Sequence, residues 1–419
     1  MSTKALQERR IVIIGGGIIG CTSAYYLTQH PLFSTSNCHI TLVEASTIAA
    51  GASGKAAGLV ANWAFPHELG EISFEEHKKL ATRYGGKERW GWREVACGQW
   101  TGRARAAENA SRTQTSSSNS GLHSRDIGSA QRATGFPDDL DWVDEGLTDS
   151  YVAMAGSGET AQVYPYEFTT SMLALAREMA GERLEIVEGA KVVSIDCGNA
   201  TAEHHSDSAN GDKNSDERVV GVTYAPTTTG SHTVHIPTDI VLLAAGPWSP
   251  TLLPTLPITY ARAHSIVMEP STPLSPHVLF TEIHSADGGE ATPEIYARPQ
   301  NRAYACCKLG DEEPLPPLAS LVKTSQSTLV ALREDVGSIS IPLRDGRVEV
   351  EQACYMPLGG PIVGMVDQVR GLVVATGHTV WGICNAPGTA KAVAELIMEG
   401  KLGKEWRLGR LEPKRFLKK

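Results

Sequence analysis

The 419-residue chain is 41% hydrophobic, carries a formal net charge of −9 and has 8 cysteines. Its length suits two or three domains and its apolar content a large core. The acidic balance excludes nucleic acid as the main partner, and the scattered cysteines predict a reducing compartment and no metal site.

No secretory pattern opens the chain, and the apolar run Ile11 to Gly20 is too short to span a bilayer. The expectation is a cytoplasmic protein without a transmembrane segment, with association with endomembranes left open. The basic end Arg415 to Lys419 reads as a solvated tail.

In chain order, Arg10 to Ile14 is a buried strand that runs into Gly15, Gly17 and Gly20. A helix follows from about Ile18 to His30, stopped by Pro31, and a polar loop leads on to the next strand. Gly15 suits a tight turn, Gly17 a close approach of backbone to pyrophosphate, and Gly20 close packing of helix on strand. Ile18 and Ile19 place free N–H groups and the positive end of a helix at that phosphate. His39 to Glu44 reads as the next parallel strand. It ends in a carboxylate, Glu44 with Ala45 behind it, at the position that bonds ribose hydroxyls. Together these features predict a dinucleotide site. The small-residue stretch Ala49 to Leu59, with Ala52, Ser53, Gly54 and Lys55 at its centre, lets backbone pass close to a phosphate or a ring.

His67 to Val95 has a helical pattern, and Trp90, Trp92, Trp100 and Cys97 read as a core cluster. Residues 101–134 and 199–217 are polar insertions that cannot bury a core and are expected to be disordered. They offer segments to which a protein partner could bind. Tyr164 to Phe168 opens a helix to about Ala180, and strands flank Gly189. Thr238 to Leu243 is an apolar strand ending in Ala244 to Ser249. Ile258 to Glu269, Pro293 to Arg298 and Ala303 to Lys308 read as a largely antiparallel sheet, and Pro314 to Val336 contains a long helix. Arg347 to Tyr355 is expected to return to the first domain. Leu372 to His378 is another buried strand, and a helix over Ala386 to Glu399 stops at Gly400.

The expected fold class is α/β: a Rossmann-like nucleotide-binding domain (1–62, 165–255, 345–415) interleaved with a smaller α+β substrate domain (63–164, 256–344) whose sheet is mainly antiparallel.

Three of these motifs carry a family resemblance: the N-terminal glycines with Glu44, the Ala244 to Ser249 turn, and Gly377-His378-Thr379-Val380-Trp381-Gly382-Ile383 before the last helix. The chain resembles the D-amino-acid oxidase family of FAD-dependent oxidoreductases, which includes glycine oxidase, sarcosine oxidases and dimethylglycine dehydrogenase-like enzymes. It is most similar to a branch in fungi and plants whose substrates are largely unassigned. The resemblance implies FAD as cofactor, a small amine or amino-acid substrate and oxygen or another acceptor. The sequence has no second G-x-G-x-x-G unit to seat NADPH, which agrees with electrons coming from the substrate.

Carried over residue by residue, the resemblance implies that Gly15, Gly17, Gly20 and Glu44 hold the ADP half, and that Ala52 to Lys55 pass the pyrophosphate and flavin. Val192 or its neighbour meets adenine. Gly246 and Trp248 flank the cofactor, and Gly377, His378, Thr379, Gly382 and Ile383 line the flavin's pyrimidine edge. His378 is a candidate proton carrier. Cys354 lies near the position of a cysteine that binds flavin covalently in sarcosine oxidases. Arg298, with Tyr296 beside it, is a candidate partner for a substrate carboxylate. The implied activity is C–N oxidation by hydride transfer to flavin N5. A flavin-bearing interaction or trafficking factor with weak redox activity stays open, as does an oxidase of a hydroxy acid or natural-product intermediate.

Overall fold

A computed structural model describes residues 8–105, 135–199, 217–228, 232–308, 313–404 and 406–417. Most of the two predicted polar insertions lies outside them, but their edges are ordered strand: Ala96–Arg103 runs past residue 101, Ala190–Asn199 reaches 199, and Glu217–Pro226 begins at 217.

The first sheet has six strands in the order Ile362–Met365, Leu372–Thr376, Ile240–Leu243, Arg9–Ile14, Cys38–Val43 and Leu184–Val187. All neighbours run parallel except Ile362–Met365. These are the runs of Ile, Val and Leu that suit strands buried on both faces. One face is covered by the helices Ile18–Gln29, Pro165–Ala180 and Gly382–Glu399. The other packs on a three-stranded antiparallel sheet (Ala190–Asn199, Glu217–Pro226, Val234–Pro237).

A second, eight-stranded sheet orders Arg347–Leu358, Thr259–Glu269, Arg302–Lys308, Glu294–Arg298, His277–His284, Ala96–Arg103 and Thr148–Ala153, with Glu290–Ala291 paired to His277–His284. It is antiparallel except where His277–His284 meets Ala96–Arg103. Period-two alternation divides its side chains. Leu279, Ile295, Ala305 and Ile266 stand side by side in register and pack under the helix Gln326–Ile339. The adjacent row, Phe280, Glu294, Cys306 and Ser265, must therefore face the other way, toward the first sheet. The α/β architecture with a mainly antiparallel second sheet is as expected.

Several element boundaries differ from expectation. Pro31 opens the short helix Pro31–Thr35 instead of leading into a loop, because proline suits the first helical position. The helix predicted over His67 to Val95 ends at Tyr84, where Gly85 turns left-handed with φ 65°. The tryptophans do not share one cluster. Trp90 and Trp92 pack in the first core, Trp100 in the second, and Cys97 on the face opposite Trp100. The long helix expected within Pro314 to Val336 is Gln326–Ile339, running three residues beyond that stretch. Arg347–Leu358 pairs along its length with Thr259–Glu269, so this strand belongs to the second sheet and the chain rejoins the first sheet at Ile362. The last helix starts at Gly382, four residues before the expected Ala386. The C-terminal stretch is docked as far as Leu417, which is buried. Among the described residues no helix is long and apolar enough to cross a membrane.

Candidate functional site

The carboxyl ends of the parallel strands converge on the glycine turn. Gly15 has φ 112°, and a Cβ there would come 2.5 Å from the Ala244 carbonyl oxygen. A Cβ on Gly20 would lie 2.0 Å from the Gly15 carbonyl, so helix and strand approach at glycine distance. A Cβ on Gly17 would meet Ser53 Oγ at 2.9 Å, and that hydroxyl accepts the Ile18 N–H at 2.8 Å. Glu44 accepts the Gly16 N–H at 2.7 Å and the Ser46 N–H at 2.8 Å. Burial raises its carboxyl above the usual value, and the amide donors hold it down.

From this turn a cavity of about 1890 Å³, open mouth included, runs to the face of the second sheet. The strand ends that close it are tied together. Thr376 Oγ1 donates to the Gly246 carbonyl at 3.0 Å, and Trp248 Nε1 donates to the Pro316 carbonyl at 2.7 Å. Gly377 has φ 80°, and Thr379 is held left-handed at φ 52°. That conformation costs a non-glycine residue roughly 1–3 kcal/mol and is typical of functional loops. The N-terminus of Gly382–Glu399 opens beside this loop with no acidic residue in its first turn. His77, stacked on Trp92, donates from Nε2 to the carbonyls of Ile383 and Cys384 at 3.1 and 3.2 Å and so anchors that turn.

A comparison with known protein families matches residues 10–396 to the family described as FAD dependent oxidoreductase. The chain belongs to this FAD-dependent oxidoreductase family. Two fungal relatives span nearly the whole chain. A Schizosaccharomyces pombe protein, by its name a presumed oxidoreductase, is 32% identical over 409 residues, covering 94% of this chain and 95% of its own. The Saccharomyces cerevisiae protein TDA3, named in the same way, is 30% identical, covering 94% and 92%. Among solved structures, glycine oxidase from Bacillus cereus superposes with a TM-score of 0.65 at 18% identity, over 94% of this chain and 98% of its own.

FAD is thus the cofactor of this oxidoreductase, and the cradle fits it. Glycine at 15 and 17 keeps side chains out of the turn, the helix Ile18–Gln29 starts there with no acidic residue in its first turn, and a carboxylate sits one strand away. Of the sequence-predicted residues, Gly15, Gly17, Ile18, Ile19, Glu44, Ala45, Ala52 and Ser53 line the cavity. So do Val192, Gly246, Trp248, Cys354, Tyr296, Gly377, His378, Thr379, Gly382 and Ile383. Val193 points out to solvent, whereas Val192 is buried and lines the cavity.

Four predicted residues stand behind the wall. Gly20 packs on Gly15, and Gly54 lies against the Ala49 carbonyl. Lys55 Nζ donates to the Ala353 carbonyl at 3.0 Å. Arg298 is the main correction. It is buried, with Nη2 donating to the carbonyls of Ala56 and Ala57 at 2.9 and 2.7 Å. Its guanidinium lies against the Tyr304 ring, 4.5 Å from the centroid. It braces the small-residue loop and does not line the cavity.

Two further expectations change for electrostatic reasons. Burial lowers His378 to about 4, and a ring nitrogen pairs with Thr389 Oγ1 at 3.0 Å, so the imidazole is neutral at physiological pH. Burial pushes the Cys354 thiol up to about 11, with Lys55 pulling the other way, so the resting thiol keeps its proton near neutrality.

Residues that sequence reading missed form the sheet-side wall. Glu294 and Phe280 lie beside Tyr296 and Tyr304. Cys306 joins them. The Tyr296 hydroxyl donates to Glu294 Oε2 at 2.8 Å. Burial, and after it the Glu294 charge, raises Tyr296 and Cys306 well above their usual values, so both keep their protons. Alternation along Pro293 to Arg298 would have put Glu294 on the face of Tyr296. Phe280 had no such signal, because its strand's main partner, Ala96–Arg103, lies far away in sequence.

Proposed function

We propose that this FAD-dependent enzyme oxidises the C–N bond of an amine or amino acid. The carrying observation is continuity: one cavity joins the dinucleotide cradle at Gly15 and Glu44 to a wall of Phe280, Tyr296 and Tyr304. Nothing in the sequence would seat a second dinucleotide, so the two electrons come from the substrate. The fold shared with glycine oxidase supports the same reading.

When bound, FAD supplies a hydride acceptor at N5. The substrate carbon gives up the hydride and the nitrogen loses a proton to solvent. Water hydrolyses the resulting imine, and oxygen or another acceptor takes the two electrons. The chain's own contribution is positioning. Phe280, Tyr296 and Trp381 supply apolar surface that keeps water from the reacting carbon. The helix starting at Gly382, with the strained Thr379 turn ahead of it, would offer N–H groups to the flavin and favour negative charge on it. Neutral His378 holds that turn to Thr389.

Anaerobic mixing of the purified holoprotein with a panel of amines and amino acids tests this. Substrate-dependent bleaching of the flavin is expected. Absence of bleaching across both classes overturns the reading.

A further inference from the structure

Residues 313–325 precede the helix Gln326–Ile339 and belong to neither sheet. Both roots of this segment are tied to the second sheet. Arg262, buried on the strand Thr259–Glu269, donates from Nη1 to Glu313 Oε2 at 2.8 Å and to the Lys323 carbonyl at 3.1 Å. The Ser325 N–H donates to Nε2 of the buried His264 at 2.9 Å, and the Tyr355 hydroxyl donates to the Glu313 carbonyl at 3.1 Å. Between its roots the segment crosses the nucleotide end of the cavity. Pro317, Leu318 and Ala319 line that end together with Glu44, Val192 and Trp248. A Cβ on Gly51 would meet the Ala319 Cβ at 3.9 Å, so the segment lies in contact range of the small-residue loop. At its apex it meets elements of the first sheet. Trp248 Nε1 donates to the Pro316 carbonyl at 2.7 Å. The Ser320 N–H donates to Ser46 Oγ, and that hydroxyl donates to Ser320 Oγ, each at 3.3 Å, which is long for a hydrogen bond. Ser46 is also the residue whose own N–H holds the Glu44 carboxylate. Three prolines, at 314, 316 and 317, fix φ along the arm that leads to the apex and stiffen it.

We propose that residues 313–325 form a hinged strap that retains FAD: it turns about its roots at Arg262 and His264, and its apex must lift from Ser46 and Trp248 before the cofactor can leave. The strand ends at Glu44 and Ala245 wall the nucleotide end on one side, and Pro317 to Ala319 wall it on the other. A stiff arm with buried anchors at its roots and a long serine pair at its tip moves at the tip first. The strap acts on the residence of the cofactor, so it stands whichever bond the enzyme oxidises.

The test is the rate at which the purified holoprotein releases FAD, read as flavin in the filtrate at timed intervals after dilution. Ser46→Cys combined with Ser320→Cys puts two thiols where the hydroxyls now meet. Oxidised glutathione joins them, dithiothreitol parts them, and thiol counting follows the bond; the wild type taken through the same treatment controls for the native cysteines. The oxidised pair is expected to release FAD about tenfold more slowly than the same protein reduced. Ser46→Ala keeps the backbone N–H that holds Glu44 and removes a side chain that does not line the cavity. It is expected to release FAD about threefold faster than the wild type, the effect of one net hydrogen bond. Unfolding in urea, followed by circular dichroism, is measured on each form. Equal release from the oxidised and reduced pair overturns the proposal, as does a slowing that only matches slower unfolding. Release from Ser46→Ala at the wild-type rate overturns it too, whether or not the cysteine pair folds.

Discussion

Arg298 donates from one guanidinium nitrogen to the carbonyls of both Ala56 and Ala57, at 2.9 and 2.7 Å. This side chain from the second sheet thereby holds the loop that passes the nucleotide cradle of the first. Tyr304 adds a hydroxyl bond to the Lys55 carbonyl at 3.1 Å, and Gln352 a longer one to the same oxygen at 3.3 Å. The two sheets are joined through the Lys55–Ala57 loop beside the cavity.

Arg298→Ala should therefore act on the cofactor before it acts on the substrate. It leaves two partly buried carbonyls without a donor, a loss of about 1–3 kcal/mol in stability. Thermal unfolding and flavin content should both fall in the variant. If Arg298 met a substrate carboxylate instead, KM would rise while flavin content stayed at the wild-type level.

The glycines predict a graded pair. A Cβ at Gly20 would lie 2.0 Å from a backbone oxygen that cannot move away, so Gly20→Ala should fail to give folded holoprotein. At Gly17 the obstacle is the Ser53 hydroxyl at 2.9 Å, a side chain that can turn. Gly17→Ala should fold and bind FAD at least tenfold more weakly. Flavin retention after gel filtration distinguishes the two.

Cys354 lines the cavity with its thiol pushed up to about 11. Acid precipitation of the wild-type protein should release the yellow colour to the supernatant, and Cys354→Ser should retain flavin as well as the wild type does. Colour that stays in the wild-type pellet and is lost from that of the variant would establish a covalent link and contradict this expectation.

Two buried histidines make stability depend on pH. Burial lowers both His77 and His378 from 6.5 to about 4. Between those values the unfolded chain binds more protons than the native one. Stability is thus complete above about 6.5 and is lost as pH falls toward 4, at up to about 1.4 kcal/mol per pH unit for each histidine. Denaturant unfolding from pH 7.5 to 5 should show this slope. His378→Asn should reduce it by about one histidine's share.

The nucleotide half of the site was legible because its signals are local. Gly15, Gly17, Gly20 and Glu44 lie on consecutive elements, and their spacing alone dictates a turn, a close approach and a carboxylate one strand away. What was expected of the closing segment Gly377 to Ile383 came from the family resemblance, and its helix begins four residues before the expected Ala386. The roles of Arg298 and His378 were misread because side-chain direction and burial are not local properties. Whether a guanidinium meets a ligand or a carbonyl depends on what the opposite sheet places there, and whether an imidazole carries a proton depends on how deeply it is buried.

The sequence by itself determined that this chain folds around a dinucleotide on a parallel sheet, because the periodicity of its strands and the placement of its glycines admit few other solutions. Only the tertiary structure decided what the cavity offers to a substrate. Glu294, Phe280 and Cys306 come from three strands and become neighbours through the register of the second sheet. That register is set by Leu279, Ile295 and Ala305 packing against the helix Gln326–Ile339 on the opposite face. A one-residue slip would turn Glu294 into the core and Ile295 into the site, because neighbouring residues on a strand point to opposite faces. Which side chains face the cavity is thus settled by the packing of a hydrophobic core on the far side of the sheet.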